Sequence, residues 1–378
     1  MSDPERIFLS PPHMSGRERD LVGEVFDSNF IAPAGPMITR FENEFCALTG
    51  HKSAAALSSG TGAMDIALRM LGVTTGDEVW VANLTFIGGV SPILYRGAVP
   101  RFLDVAANTW TLDPDLLKDE LGKADKEGRL PKVVIPVDLY GQSCDLDRIV
   151  TTCDAYDIPV VVDAAESVGA RYKDRHAGKG ARMAVYSFNG NKIITTAGGG
   201  MLASDDEELI ARARYLSQQA RQPVPHYEHA ETGYNYRMPS LCAAVGVGQL
   251  EVLAERVARR REIFDTYAQA FADLEGVDMM PEADYGTANR WLSVLTLDPE
   301  TVAKSPMEVI AAAEKNNIEC RPVWKPMHEQ PVFNTAAHGA TSVSDHLFAT
   351  GLCLPSGSSM RAEDQERVIR QIISTLTA

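Results

Sequence analysis

Lys192 is the sole charged residue in the stretch 186–202, YSFNGNKIITTAGGGML. Asn189, Gly190 and Asn191 before it are turn formers. Gly198, Gly199 and Gly200 after it let backbone approach a bound group closely. A lysine with few charged neighbours gives up its proton more readily, because desolvation disfavours the ammonium. Its neutral amine can form a Schiff base with a carbonyl. A surface hairpin with an incidental lysine satisfies the same residues. A second stretch, 158–170, reads IPVVVDAAESVGA. Its apolar run 160–162 predicts a buried parallel strand, and Asp163 stands where that strand ends. Ligands of open α/β sheets lie beyond the carboxyl ends of the strands. Pyridoxal phosphate (PLP) requires a lysine for its aldehyde and a carboxylate for its pyridine nitrogen. The plainer role for Asp163 is a helix cap.

Other segments supply what such a cofactor needs. In 54–71, AAALSSGTGAMDIALRML, a short strand runs into small residues and then an amphipathic helix. The free N–H groups of that helix start, with the hydroxyls of Ser59 and Thr61 beside Gly60, predict a phosphate cup. A simple helix cap accounts for the same pattern. Phe86 follows the predicted strand 78–82 and can stack on a pyridine ring, although core packing is the commoner fate of a Phe. Glu166 lies three residues beyond Asp163, on the same side if a helix begins there. Ser187 precedes the lysine loop and can donate to a phosphate or simply close a strand end.

SFNGNKIITTAGGGML, VVDAAESVGA and the opening LSPPHMSGRE resemble the DegT-type nucleotide-sugar aminotransferases, from about Leu9 to the last helix. SNFIAPAG, NGNKIITTAGGG and RPVWKPMH are most similar to the members that make UDP-4-amino-4,6-dideoxy-N-acetylglucosamine on the way to bacillosamine. The resemblance implies an α/β chain of PLP fold type I, with a large mixed-sheet α/β/α domain and a smaller C-terminal α/β domain. It implies PLP on Lys192, Asp163 at the ring nitrogen, Glu166 at the ring hydroxyl and Phe86 over the ring. Ser59, Gly60, Thr61 and Ser187 would then hold the phosphate, and Gly60 and Ser187 also border the substrate. The loop Asn29, Phe30, Ile31, Ala32 would lie over the sugar nucleotide. Asn235 would reach the phosphate of the neighbouring subunit, making a homodimer with shared sites. Arg321, Trp324, Lys325 and His328 become sugar or uracil contacts. The implied substrates are L-glutamate and a UDP-linked 4-keto sugar. A GDP-linked keto sugar, or a PLP-binding regulator without turnover, remain as alternatives. A dehydratase branch carries histidine at the lysine position, and Lys192 argues against it.

Composition bounds the rest. The 378 residues predict two or three domains, and 45% apolar residues are ordinary for a globular chain. A net charge of −15 argues against a nucleic-acid binder or a basic membrane anchor. Six scattered cysteines without a CxxC pair indicate neither a zinc site nor a disulfide framework, and no metal is expected. The start MSDPERIF lacks the apolar core of a signal peptide, and no run approaches a membrane span, so a cytoplasmic setting is expected.

Strand and helix patterns alternate as a doubly wound sheet requires. Helices are predicted over 16–29, 38–49 and 145–156, strands over 99–104 and 133–139, and a helix after Gly200 through Leu216. Residues 219–237, QARQPVPHYEHAETGYNYR, have little to bury and predict a long functional loop. One long amphipathic helix is expected within 239–274, its basic run 256–261 forming a solvated face. The predicted domains are 1–255, binding PLP, and 256–378, with strands at 289–295, 319–323 and near 352–357.

Overall fold

The computed structural model describes residues 5–334, 336–339 and 341–377. Its strands β1 (Ser53–Leu57), β2 (Glu78–Ala82), β3 (Val99–Leu103), β4 (Val133–Ile135), β5 (Val161–Asp163), β6 (Arg171–Tyr172), β7 (Arg175–His176), β8 (Met183–Ser187) and β9 (Gly200–Ser204) precede residue 205. Later come β10 (Val277–Met279), β11 (Gly286–Thr287), β12 (Ser293–Leu297), β13 (Arg321–Pro322), β14 (Ala337–His338) and β15 (Gly351–Leu354). The runs β1-β9-β8-β5 and β4-β2-β3-β14 are joined by parallel bridges at Val134–Val160 and Val137–Asp163. The resulting mixed sheet is parallel apart from β9, which is antiparallel to β1 and β8.

Side chains of successive strand residues point to opposite faces, and the core divides accordingly. Val160 and Val162 join Phe41, Phe45, Leu117, Ile149 and Val247 on one face. Val161 joins Met64, Leu68, Val90, Ile93 and Ile210 on the other. The first layer holds helices α1 (Glu18–Ser28), α2 (Pro36–Thr49), α5 (Pro114–Lys126), α6 (Leu146–Asp154) and α8 (Ser240–Leu250). The second holds α3 (Gly60–Met70), α4 (Ile87–Tyr95) and α7 (Glu207–Ser217). Burial on both faces explains why β4 and β5 read as continuous apolar runs.

The C-terminal part builds an antiparallel sheet, β10-β12-β15-β13. Against it pack α9 (Leu253–Phe271), α10 (Pro306–Glu314) and α12 (Ala362–Leu376), through Ile263, Tyr267, Phe271, Val309, Val368 and Ile372. The remaining helix is α11 (Ser342–Thr350). A division at 255/256 falls inside α9, whose Leu253 packs with the large unit and whose Phe271 packs with the small one. Ile7, from the other end of the chain, joins the small unit by exchanging backbone hydrogen bonds with Asn317 and Glu319. In the reverse direction, β14 extends the large sheet beside β3.

Four local expectations are corrected. Gly200 opens a buried strand, and the helix begins only at Glu207, capped by Asp206. The segment after Asp163 forms turns, not a helix. The expected single helix within 239–274 is two, α8 and α9, parted at 251–252. The basic run is not a solvated face, because Arg256 and Arg260 are buried. Their four-residue spacing puts them on the side of α9 that carries Phe264 and Tyr267.

Candidate active site

The carboxyl ends of β1, β2, β5 and β8 meet at one edge of the large sheet. They deliver the start of α3, Phe86, Asp163 and Ser187 to a cavity of about 930 Å³. Ser59, Gly60, Thr61, Phe86, Asp163, Glu166, Ser187, Lys192, Arg321 and Trp324 all line it. At the start of α3, Ser59 Oγ accepts from Gly62 N at 2.9 Å, so the cap and the anion-binding turn are one structure. Phe86 is not a core residue: it is 59% exposed, with its ring 5.8 Å from that of Trp324.

Lys192 reaches into the cavity from a loop tied by Lys192 N to Asn189 O and by Thr196 N to Phe188 O. Its Nζ lies 3.3 Å from Glu166 Oε1 and 4.1 Å above the Trp291 ring. Glu166 Oε2 accepts from Tyr140 N at 2.6 Å, and Tyr140 adopts a left-handed backbone (φ 51°) at that point. Asp163 Oδ1 accepts from Ala165 N at 3.1 Å, which makes it the cap of a turn. Burial pushes the Asp163 carboxyl above its usual range, opposed by the Lys192 charge. Burial raises Glu166 further, to about 7, again opposed by Lys192. Below that pH Glu166 is a neutral hydrogen-bond donor; above it, an anion paired with Lys192. In the chain without cofactor, the pH profile of the infrared carboxyl band of Glu166 should therefore carry an inflection near pH 7 that Glu166→Gln removes. An unchanged profile in the variant would assign the inflection elsewhere.

The residues fit PLP. An amine, a buried carboxylate and an anion-binding helix start share one cavity. Backbone also approaches where the fit requires it: a methyl on Gly89 would lie 2.2 Å from Asp163 Oδ2, and one on Gly200 would lie 2.4 Å from Gly60 N. Gly89→Ala should push the carboxylate aside and cost roughly a hundredfold in rate, as a displacement of about 1 Å does elsewhere. Steady-state rates at saturating PLP check this, and a fully active variant would show that Asp163 tolerates the shift.

Residues 12–373 match the model of the DegT/DnrJ/EryC1/StrS aminotransferase family. The chain belongs to that family. EpsN of Bacillus subtilis (strain 168), whose name describes a pyridoxal phosphate-dependent aminotransferase, is 50% identical over 98% of this chain and 95% of its own. A GDP-perosamine synthase of Caulobacter vibrioides is 35% identical over the full length of both. Spr1654 from Streptococcus pneumoniae, described as a sugar aminotransferase and solved in its PLP form, superposes with a TM-score of 0.89 at 25% identity, covering 99% of each chain. The protein is thus a PLP-dependent sugar aminotransferase of fold type I. No helix among the described residues is long and apolar enough to cross a membrane.

Several expected site residues lie outside this cavity. Asn29, Phe30, Ile31 and Ala32 are exposed, and Asn29 ends α1 in a left-handed conformation. Asn235 is exposed and accepts from Gln219 Nε2 at 3.1 Å. Lys325 pairs with Glu329 at 2.9 Å. His328 is held by Asn83 and lies 3.4 Å from Asp345. The ligand atoms of His328, Glu329 and Asp345 come within 4.8 Å of one another, a group whose charge Lys325 already offsets. The 219–237 loop is held by its own chain: Arg69 donates to Thr232 O, Arg96 to the Tyr234 hydroxyl, and Tyr236 O accepts from Ser58 N. Gly89, Tyr140 and Trp291 were not anticipated. Gly89 and Trp291 carry no motif, and the left-handed Tyr140 is set by tertiary contacts.

Proposed function

We propose that this aminotransferase moves the amino group of L-glutamate to C4 of a UDP-linked 4-keto-6-deoxy-N-acetylhexosamine, giving UDP-4-amino-4,6-dideoxy-N-acetylglucosamine for bacillosamine-type glycans. The observation that carries the reading is Lys192 within 3.3 Å of the buried Glu166, in a cavity whose wall also includes Arg321 and Trp324. Bound PLP supplies an aldehyde and an electron sink, and stores the amino group between two half-reactions. Lys192 would anchor that aldehyde and, with its amine free, would hold and move a proton on Nζ. Asp163 holds the proton of the ring nitrogen, and Glu166 hydrogen-bonds beside the ring hydroxyl. Ser59, Gly60, Thr61 and Ser187 hold the phosphate, and Phe86 walls one ring face. Arg321 and Trp324, on the cavity wall, serve the sugar nucleotide, which would have to extend beyond the cavity to meet Lys325 and His328. The GDP-perosamine synthase relative favours a second reading, in which the keto sugar is GDP-linked. Assaying glutamate with UDP- and GDP-linked 4-keto sugars, with products identified by mass, separates the two. Faster turnover of the GDP substrate would overturn the first reading.

Asn29–Ala32 and Asn235 lie off their own chain's cavity. This supports a homodimer in which they complete the neighbouring site. Mixing Lys192→Ala with Asn235→Ala protein, each inactive alone, should then restore activity. Random exchange leaves one intact site in each heterodimer, so roughly a quarter of the wild-type rate is expected. No recovery after exchange verified with labelled chains would place Asn235 in its own subunit's chemistry.

A further inference from the structure

Asn191 O, the carbonyl just before Lys192, accepts two hydrogen bonds from distant parts of the chain. Ser10 Oγ donates at 2.7 Å and Trp291 Nε1 donates at 2.7 Å. Behind both stands Arg260, which is 1% exposed. Its Nη2 donates to Ser10 Oγ at 2.9 Å and its Nη1 to Trp291 O. Burial and the nearby Arg256 pull this guanidinium down to about 9. A buried cation is costly, and the two terminal nitrogens of this one donate to the two groups that grip the lysine loop. Trp291 acts twice, because the ring that donates to Asn191 O also lies under Lys192 Nζ at 4.1 Å.

We infer that Trp291 is a positioning residue for Lys192, locked in place by Arg260, with Ser10 as the second clasp on the Asn191 carbonyl. The inference rests on the role of Lys192 proposed above. It explains why α9 buries part of its basic run at the junction of the two units: the small unit thereby sets where the lysine points.

The test is a double-mutant cycle read as PLP affinity, by titrating apoprotein. Trp291→Leu should weaken PLP binding about tenfold when Lys192 is present. With Lys192→Ala it should change affinity less than about twofold, because binding then depends on the phosphate cup. Trp291→Phe keeps the ring face and loses the N–H, so an intermediate loss is expected. Ser10→Ala removes one donor to Asn191 O and the acceptor of Arg260 Nη2 while leaving the Trp291 ring in place, and should give a smaller loss that also vanishes in the Lys192→Ala background. It decides the matter if the leucine variant does not fold. An equal loss in both backgrounds would overturn the inference, since Trp291 would then act on the cofactor or the fold directly. If Lys192→Ala itself leaves covalent attachment of PLP intact, the proposed role of Lys192 fails instead.

Discussion

Lys192→Ala is expected to abolish amino transfer while leaving the fold intact. Its Nζ sits in the open cavity against Glu166 and the Trp291 ring, so truncation removes no core packing. Nor does it strand a buried anion. With the lysine charge gone, the Tyr140 N–H is left to oppose burial, and the Glu166 carboxyl moves further above its usual range, toward the neutral form. In the role proposed for it, the side chain both anchors the aldehyde and carries the proton. General acid–base transfer alone contributes on the order of 10²–10⁴-fold, and the loss should reach the upper end or beyond. The wild type should absorb near the violet edge of the visible range and fix its cofactor covalently with borohydride. The variant should do neither, with an unchanged melting temperature. Wild-type turnover by Lys192→Ala would remove the central assignment.

Asp163→Asn should retain PLP and lose most of its rate. Asparagine keeps the oxygen that accepts from Ala165 N and fits the space left by Gly89, so the local structure has little reason to move. What disappears is the negative charge proposed to hold a proton on the ring nitrogen. Loss of one preorganised electrostatic group costs about 3–4 kcal/mol, or 10²–10³-fold. The charge matters more here because Asp163 is buried. Turnover measured at equal PLP content checks this, and a variant with most of its activity would exclude the role.

The sequence by itself marked the local patterns that the fold then brings to one cavity. An isolated lysine among turn formers, an aspartate ending an apolar strand and a Ser-Gly-Thr-Gly helix start are short-range signals. Each is written in a few adjacent residues, because a strand end or a helix cap is a local object. The period-2 division of the valines at 160–162 between two cores followed from the same rule.

The tertiary structure decided what depends on residues far apart in the chain. The basic run of α9 reads as solvent-facing because charged residues usually are. Arg260 is buried instead because Trp291 O and Ser10 Oγ, from two other segments, meet it there. Gly89 carries no motif, and its need arises only where α4 passes the Asp163 carboxylate. Trp291 falls in a segment expected to be a strand, yet β12 starts at Ser293, leaving the ring free to lie under Lys192. Such contacts are long-range and have no periodicity, so they come into being only when the sheet edge, the lysine loop and the C-terminal unit pack together.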